Sequence, residues 1–317
     1  EGLFYPDDAP ASTRRVLETH VGREHPEIGV KSFPPKLQLT LHSRAQFIEK
    51  AFWKCIRDGG MIVGFNLPFD LSRLAVEWSP SRNRGWSFVM SLRRSRKTGR
   101  LEPNPHRPRV RVTAKDSRSA FISVTRPAKP KEWPHEGRFL DLHTLAAALF
   151  DRSYRLDDLC KDLKVPGKLE DYEPTGLVTD DEITYCRGDV RATANALNGL
   201  KREFDRHPLN LRPDRAYSPA SLAKAYLDEM GIVPPAEKFQ VPDDLQGISM
   251  QTYYGGRAEC RIRRLEVPIV HTDFTSQYPT VNALLENWRV LTAERVTFED
   301  ATDEVRRFLT SVTHADL

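Results

Sequence analysis

The feature that most constrains this chain is a long helical stretch near its middle, residues 181–204. The apolar stripe predicted to pack this helix on a core consists of Ile183, Val190, Ala194 and Leu197. Tyr185 and Asp189 are four residues apart, so a phenol and a carboxylate lie on one helix face, one turn apart. A carboxylate can hold a divalent cation and a hydroxyl can align a water, which suits a metal-dependent phosphodiesterase. Because Tyr-x-x-x-Asp is also common in helices without a site, the pair needs support from the rest of the chain.

Length and composition indicate a globular protein without a membrane segment. The chain has 317 residues, of which 29% are charged and 39% hydrophobic. No apolar run is long enough to cross a bilayer. The four cysteines are far apart, which fits neither a zinc site nor a disulfide framework. We therefore expect a soluble intracellular protein, and the first residue, Glu1, together with a helical run over residues 300–312, suggests a piece of a longer chain.

Positive charge is concentrated in one block, residues 82–131. This block has fifteen lysines and arginines against two acids, so with a total net charge of +4 it carries +13 and the remainder −9. Alternation over residues 86–90, 110–112 and 120–124 predicts an antiparallel ribbon of strands. A basic ribbon with interleaved aromatic residues suits a single-stranded nucleic-acid backbone. The alternative is a solvated charged hairpin.

Three acids follow predicted core strands. Residues 61–74 read as a buried strand, a turn and a helix that starts near Phe69. Asp70 then lies just beyond the end of the strand, where carboxylates can converge on a site in the crevice of a sheet. Asp70 could instead only favour the helix N-terminus through the macrodipole. Asp141 lies near the end of a predicted core strand over residues 138–142; it could be a metal ligand, but we expect it to cap or pair locally. Asp273 follows a predicted strand that begins at residue 267, with a helix near residue 280.

Four short motifs occur in one order along the chain. They are Asn66-x-x-Phe69-Asp70, Tyr185-x-x-x-Asp189, Tyr253-x-Gly255-Gly256 and Asp273-x-x-Ser276-x-Tyr278-Pro279. In this order and at these separations they resemble the motifs of the family B DNA polymerases. The first two resemble the second and third exonuclease motifs, the next resembles the Tyr-x-Gly-Gly motif between the exonuclease and polymerase regions, and the last resembles polymerase motif A.

The resemblance implies a fold and a domain order. We expect an α/β, ribonuclease-H-like 3′→5′ exonuclease domain with a mixed sheet over residues 1–204, in which residues 82–131 form an inserted basic β ribbon. Residues 205–317 would then be a linker and the N-terminal part of a polymerase palm. The expected function is DNA-templated DNA synthesis with metal-dependent proofreading of single-stranded DNA, although this piece alone should not polymerise.

The resemblance also implies roles for site residues. Asp70 and Asp189 would hold two divalent cations, Mg²⁺ or Mn²⁺, while Tyr185 orients the attacking water. Asn66 and Phe69 would position the single-stranded 3′ end. The first exonuclease motif should supply an Asp-x-Glu pair, of which Glu1 could be the last acid and a further metal ligand. In the second half, the residues implied are Asp273 for the catalytic metals, Ser276 and Tyr278 for the nucleotide, and Tyr253, Gly255, Gly256 and Arg257 for DNA.

The implied partners are single-stranded DNA, primer–template DNA and deoxynucleotides, with no membrane. The Tyr-Tyr-Gly-Gly-Arg form is closest to the protein-primed branch of the family, which implies a protein primer. One alternative is a non-catalytic module that binds single-stranded nucleic acid through a degenerate exonuclease fold. Another is a free-standing nuclease of the DEDD type, which would leave the motifs at Tyr253 and Asp273 unexplained.

Overall fold

The computed structural model describes residues 1–25, 39–81, 85–127, 131, 133, 137–169, 172, 175–251, 261–270, 272 and 276–313. The chain divides into two compact units, Glu1–Tyr226 and Leu227–Leu317. Ala216 and Leu222 belong to a core cluster of the first unit, which explains why that unit extends past residue 204. The predicted functional division between residues 204 and 205 remains a prediction.

The first unit is mixed α/β. Its strands are β1 (Gly2–Tyr5), β2 (Thr40–Ser43), β3 (Met61–Gly64), β4 (Glu77–Ser81), β5 (Gly85–Val89), β6 (Leu92–Arg94), β7 (Leu101–Pro103), β8 (Val110–Ala114), β9 (Ala120–Val124) and β10 (Arg138–Asp141). Its helices are α1 (Ala11–Val21), α2 (Arg44–Phe47), α3 (Trp53–Arg57), α4 (Leu67–Leu74), α5 (Leu142–Phe150), α6 (Leu156–Asp162), α7 (Asp180–Phe204) and α8 (Pro219–Glu229), the last of which runs across the division into the second unit.

The described strands form several small sheets, and the ribonuclease-H-like arrangement with a mixed sheet remains a prediction. Within the described residues, β1 pairs with β2 and β3 pairs with β10, both in parallel. Strands β4, β5, β8 and β9 form an antiparallel sheet in that order, and β6 and β7 form a separate hairpin. The antiparallel ribbon predicted within residues 82–131 is therefore confirmed, and β4 adds a strand before it.

A helical run follows β2 and contains an irregular turn. The sequence predicts a helix over residues 44–57 that is capped by Ser43 and whose inner face carries Phe47, Ile48, Ala51 and Phe52. The Ser43 hydroxyl accepts from the Gln46 amide and the Gln46 side chain accepts from the Ser43 amide, so the predicted cap is confirmed as a capping box. Residues Ile48–Phe52 form a π-helical turn between α2 and α3. The prediction that Ala51 faces the core was wrong, because the wider turn shifts the later residues and buries Trp53 instead.

Helix α7 has the predicted extent but not the predicted buried face. It runs from Asp180 to Phe204, and the Thr179 hydroxyl caps it by accepting from the Glu182 amide. Ile183 is buried as expected, whereas Val190 is 66% exposed. The residues of α7 that are buried are Ile183, Arg187, Ala192, Ala196, Gly199, Leu200 and Phe204. Small residues allow close packing here, since a Cβ at Gly199 would lie 2.9 Å from a Leu163 methyl carbon.

Two apolar clusters form the core of the first unit. One joins α5, α6 and α7, where Leu145, Leu159 and Leu200 are almost fully buried. The other packs the antiparallel sheet on the helical run after Ser43, and includes Trp53 and Val110. Residues of both clusters also line the cavity in which the candidate site lies.

The second unit is helical in its described part. Its helices are α9 (Pro235–Lys238), α10 (Asp243–Gln251), α11 (Gln277–Leu284), α12 (Trp288–Thr292) and α13 (Thr302–Ser311). The helix predicted over residues 300–312 is thus confirmed as α13. The predicted strand at Val267–Val270 was wrong: this stretch is irregular, and Val270 is 89% exposed, because no described strand lies beside it to form a ladder. Of the helices in the described ranges, none is both long and apolar enough for a bilayer.

Candidate active site

A cavity of about 1070 Å³ lies in the first unit. It is lined by the turn after β3 and the start of α4, by parts of β5 and β8, and by one face of α7. The predicted site residues that line it are Asn66, Asp70, Tyr185 and Asp189. Two motifs that are far apart in sequence therefore contribute to one surface.

The turn after β3 determines where Asp70 lies. Asn66 adopts a left-handed conformation, with φ of 63°, and α4 begins at Leu67 with Pro68 in its first turn. Proline suits that position because its amide needs no partner there. Gly64 is required by space, since a Cβ would lie 2.6 Å from a Leu67 methyl carbon and 3.4 Å from the Asp70 carboxylate. The backbone thus holds Asp70 over the end of the strand.

Asp141, the last residue of β10, lines the cavity and links β10 to the start of α4, just after β3. Its Oδ2 accepts from the Thr144 amide and hydroxyl at 3.3 and 2.8 Å, and its Oδ1 accepts from the Leu67 amide at 3.1 Å. The expectation that Asp141 caps and pairs locally is confirmed. Burial, together with the nearby charge of Asp141, raises the pKa of Asp70 to about 6.

Lys168, which precedes α7, contacts both predicted residues of that helix, Tyr185 and Asp189. Its Nζ donates to Asp189 Oδ2 at 2.8 Å and lies 3.5 Å from the Tyr185 hydroxyl. Partial burial lowers the pKa of Lys168, but the hydrogen bond and charge of Asp189 outweigh it, so this pKa lies above its usual value. The other oxygen of this carboxylate, Asp189 Oδ1, is buried without a hydrogen-bond partner from the described protein.

A second aromatic ring holds Tyr185 in place. The rings of Tyr172 and Tyr185 stack at 4.7 Å with an interplanar angle of 28°. The Tyr172 hydroxyl donates to Glu182 at 2.6 Å, and this hydrogen bond raises the pKa of Tyr172 to about 12. Sequence reasoning missed both Lys168 and Tyr172. Both lie in the segment between α6 and α7, and only its position before the Tyr-x-x-x-Asp motif could have pointed to them.

Two other predicted residues of the first unit do not line the cavity. Glu1 accepts from Arg187 Nε at 2.7 Å, and Arg191 lies 3.5 Å from its other oxygen. The Arg187 guanidinium holds the pKa of Glu1 below its usual value. Phe69 is 53% exposed, and the Arg73 guanidinium lies 4.8 Å from its ring centre. In this structure Glu1 therefore does not join the cavity carboxylates.

Most predicted sites of the second half lie outside the described residues. These are Tyr253, Gly255, Gly256, Arg257 and Asp273. Ser276 precedes α11 in a left-handed conformation with φ of 56°, and Tyr278 is 61% exposed on that helix. Their predicted roles remain predictions.

The cavity contains two carboxylates of the chemical kind that binds hydrated divalent cations, Asp70 and Asp189. Mg²⁺ is typically bound by one or two carboxylates, with waters and substrate phosphates as its remaining ligands. Burial and the neighbouring charge of Asp141 raise the pKa of Asp70, and Asp189 has a buried oxygen without a hydrogen-bond partner among the described residues. Both are hard oxygen donors, which favours Mg²⁺ or Mn²⁺ over zinc. Among the described residues, no group of three or more histidine, cysteine or acidic side chains is placed to hold a metal ion.

Comparison of the chain with models of known families, with curated proteins and with solved structures gave no match. The function therefore has to be argued from the cavity itself.

Proposed function

We propose that the first unit is the 3′→5′ exonuclease domain of a family B DNA polymerase, with a ribonuclease-H-like fold. Its reaction would be hydrolysis of the last phosphodiester of single-stranded DNA. The observation that carries the proposal is the presence of Asp70, Tyr185 and Asp189 in one cavity. Acids at the end of a strand and on a helix that faces it can converge on a site in the crevice between them.

Each residue has a chemical role in this proposal. Asp70 and Asp189 would hold Mg²⁺ or Mn²⁺, which when bound would supply hydroxide and stabilise the leaving oxygen. The Tyr185 hydroxyl, steadied by the Tyr172 ring and by Lys168, orients the attacking water. The Lys168 ammonium holds the Asp189 carboxylate and adds positive charge where the phosphate would lie.

Positive charge on the antiparallel sheet and on the β6–β7 hairpin supports a single-stranded DNA substrate. The exposed cations of the β6–β7 hairpin and the following strands are Arg93, Arg94, Arg96, Lys97, Arg100, Arg109, Arg111 and Lys115. Exposed arginine and lysine bind phosphates and release counterions, so binding should weaken steeply with salt. The proposed DNA synthesis, with primer–template DNA, deoxynucleotides and a protein primer as partners, rests on the motif around Asp273 in the second unit.

A non-catalytic single-strand-binding module is the second candidate, and one observation favours it. Lys168 already neutralises one oxygen of Asp189, and Glu1 is paired with Arg187 rather than facing the cavity. With Asp189 paired to a protein cation and Glu1 outside the cavity, the site would bind phosphates without cleaving them.

Cleavage of a short 5′-labelled single-stranded oligonucleotide separates the two candidates. We expect stepwise shortening from the 3′ end with Mg²⁺ or Mn²⁺, abolished by a chelator. Asp189→Asn should lower the rate about a hundredfold or more, because it removes a metal ligand and little volume. Asp181→Asn is the matched control, since it removes one exposed acid from the same helix. Salt-sensitive binding without any shortening by the wild-type protein would contradict the exonuclease and favour the binding module.

A further inference from the structure

The feature that the proposed chemistry leaves unexplained is Trp86, a large apolar residue on the wall of the cavity. It lies on β5, opposite Pro80 on β4 and Val112 on β8. Val112 is 1% exposed, whereas Trp86 is 44% exposed, although both line the same cavity. A tryptophan has more apolar surface than a valine, so the exposed part of the Trp86 ring is apolar surface that a ligand in the cavity could cover.

Packing within the protein accounts for the neighbouring aromatic residues but not for Trp86. Phe88, two residues further along the same face of β5, is 6% exposed in the core. Phe4 also lines the cavity and is 46% exposed, but its ring stacks on Phe47 at 4.5 Å. Within the part of the chain that the structure describes, the Trp86 indole has no hydrogen bond, no stacked ring and no cation over its face. Its exposed ring is therefore available for stacking.

The other groups of the cavity indicate which ligand would stack there. Asp70 and Asp189 provide oxygen ligands for cations, and Lys168, Arg118 and Arg155 provide positive charge on the same lining. A ligand that matches cations, carboxylate-bound metal and a flat apolar ring carries both phosphates and a planar base. A single-stranded nucleotide chain has both, and its bases are unpaired and free to stack.

We infer that Trp86 is a nucleobase-stacking residue: a base near the 3′ end of single-stranded DNA stacks on its indole and holds the strand in the cavity. This inference rests on the proposed exonuclease function and adds the part of the substrate that the wall recognises. Stacking tolerates any base, because every base has a flat face, so the residue supports binding of unpaired ends without sequence preference. A paired 3′ end, whose bases stack within the duplex, would gain nothing from it.

The test measures binding of labelled oligonucleotides with Ca²⁺ in place of Mg²⁺, so that binding is read without turnover. The proteins are the wild type, Trp86→Ala, Trp86→Phe and Trp78→Ala. Trp78 is the matched control, since it is 64% exposed on the neighbouring strand but does not line the cavity. Each oligonucleotide is used with ordinary 3′ residues and with terminal residues that lack bases. Circular dichroism and thermal unfolding establish that each variant is folded.

We expect Trp86→Ala to weaken binding of the ordinary oligonucleotide about tenfold, as for loss of one stacked base. Trp86→Phe should retain most of the affinity, and Trp78→Ala all of it. With the baseless 3′ end, wild type and Trp86→Ala should bind equally, because no base remains to stack. Equal weakening on both oligonucleotides, or no weakening, would overturn the inference. If the wild type shortens DNA but shows no base-dependent effect at Trp86, only the inference fails; if it neither binds nor cuts DNA, the proposed function fails as well.

Discussion

Helix α7 has two faces that use charge in opposite ways. On one face Arg187, which is 5% exposed, donates to Glu1 and contacts the rings of His20 and His25. On the other face Tyr185 and Asp189 line the cavity. Each residue advances about 100° around a helix, so Arg187 points almost opposite to the residues two positions before and after it. One face holds the N-terminal segment on the helix, while the other presents polar groups to a ligand.

The two sides differ in how the pKa of a nearby carboxylate is shifted, that of Glu1 beside Arg187 and that of Asp70 in the cavity. Arg187 lowers the pKa of Glu1, because the hydrogen-bonded guanidinium favours the charged form. Burial and Asp141 raise the pKa of Asp70 to about 6, because nothing described around it compensates a negative charge. A matched pair stabilises the fold, whereas an unmatched carboxylate destabilises it until a cation binds. Charges that hold the fold together are paired with an opposite charge, whereas the Asp70 carboxylate in the cavity has no such partner among the described residues.

The largest effect should come from Arg187 on the structural face. Arg187→Met leaves Glu1 without its main partner and should lower the free energy of unfolding by about 3 kcal/mol, as for the loss of one partner of a buried ion pair. Urea denaturation followed by circular dichroism measures it. Arg191→Met is the matched control: its side chain is 45% exposed and pairs more loosely with Glu1, so the cost should be less than about 1 kcal/mol. Equal effects of the two substitutions would show that burial does not distinguish them.

On the cavity face, Lys168→Met should affect cleavage far more than stability. The pair with Asp189 is about one-third exposed on both sides, so the loss in unfolding free energy should be below about 1 kcal/mol. The rate of 3′ shortening should fall about tenfold or more, because Lys168 holds the carboxylate and contacts the Tyr185 hydroxyl. Single-turnover cleavage and urea denaturation measure the two effects. Lys161→Met, which removes an exposed lysine of α6, is the control and should change neither the rate nor the stability. A large loss of stability in Lys168→Met without a change in cleavage would show that Lys168 has a structural role instead.

Asp70→Asn should stabilise the protein at neutral pH. The folded-state pKa of Asp70 is about 6 and its ordinary value is 3.8, so the folded protein binds this proton more tightly and loses stability as the pH rises between these values. A fully buried group with this shift would cost about 3 kcal/mol; solvent access to Asp70 reduces the expected gain to about 1 kcal/mol. Urea denaturation at several pH values should show the gain above about pH 6 and none below about pH 4. Mn²⁺ should raise the melting temperature of the wild type only, and a pH-independent gain would contradict the assignment.

Local patterns of the sequence predicted several elements of the fold. Ser43 and Gln46 lie at capping-box spacing, and the alternation over residues 120–124 corresponds to β9. Side-chain orientation was predicted less well. Ala51 and Val190 were assigned to the core and are exposed, because a π-helical turn shifts one helix and because α7 packs through Ala192, Ala196 and Gly199. The contact of Lys168 with Asp189 could not be predicted, since nothing local to Lys168 specifies which helix its loop lies against.

The sequence by itself determined the extent of α7, the strand–turn–helix that carries Asp70, and the spacing of Tyr185 and Asp189. These depend on caps, periodicity and residues a few positions apart, which act within one segment. Only the tertiary structure decided that Asp70 and Asp189 line one cavity, that Arg187 takes Glu1 on the other side of the helix, and that Trp86 remains exposed beside the acids. Such relations depend on which segments meet and on how far each side chain is removed from water, and both are properties of the packed molecule.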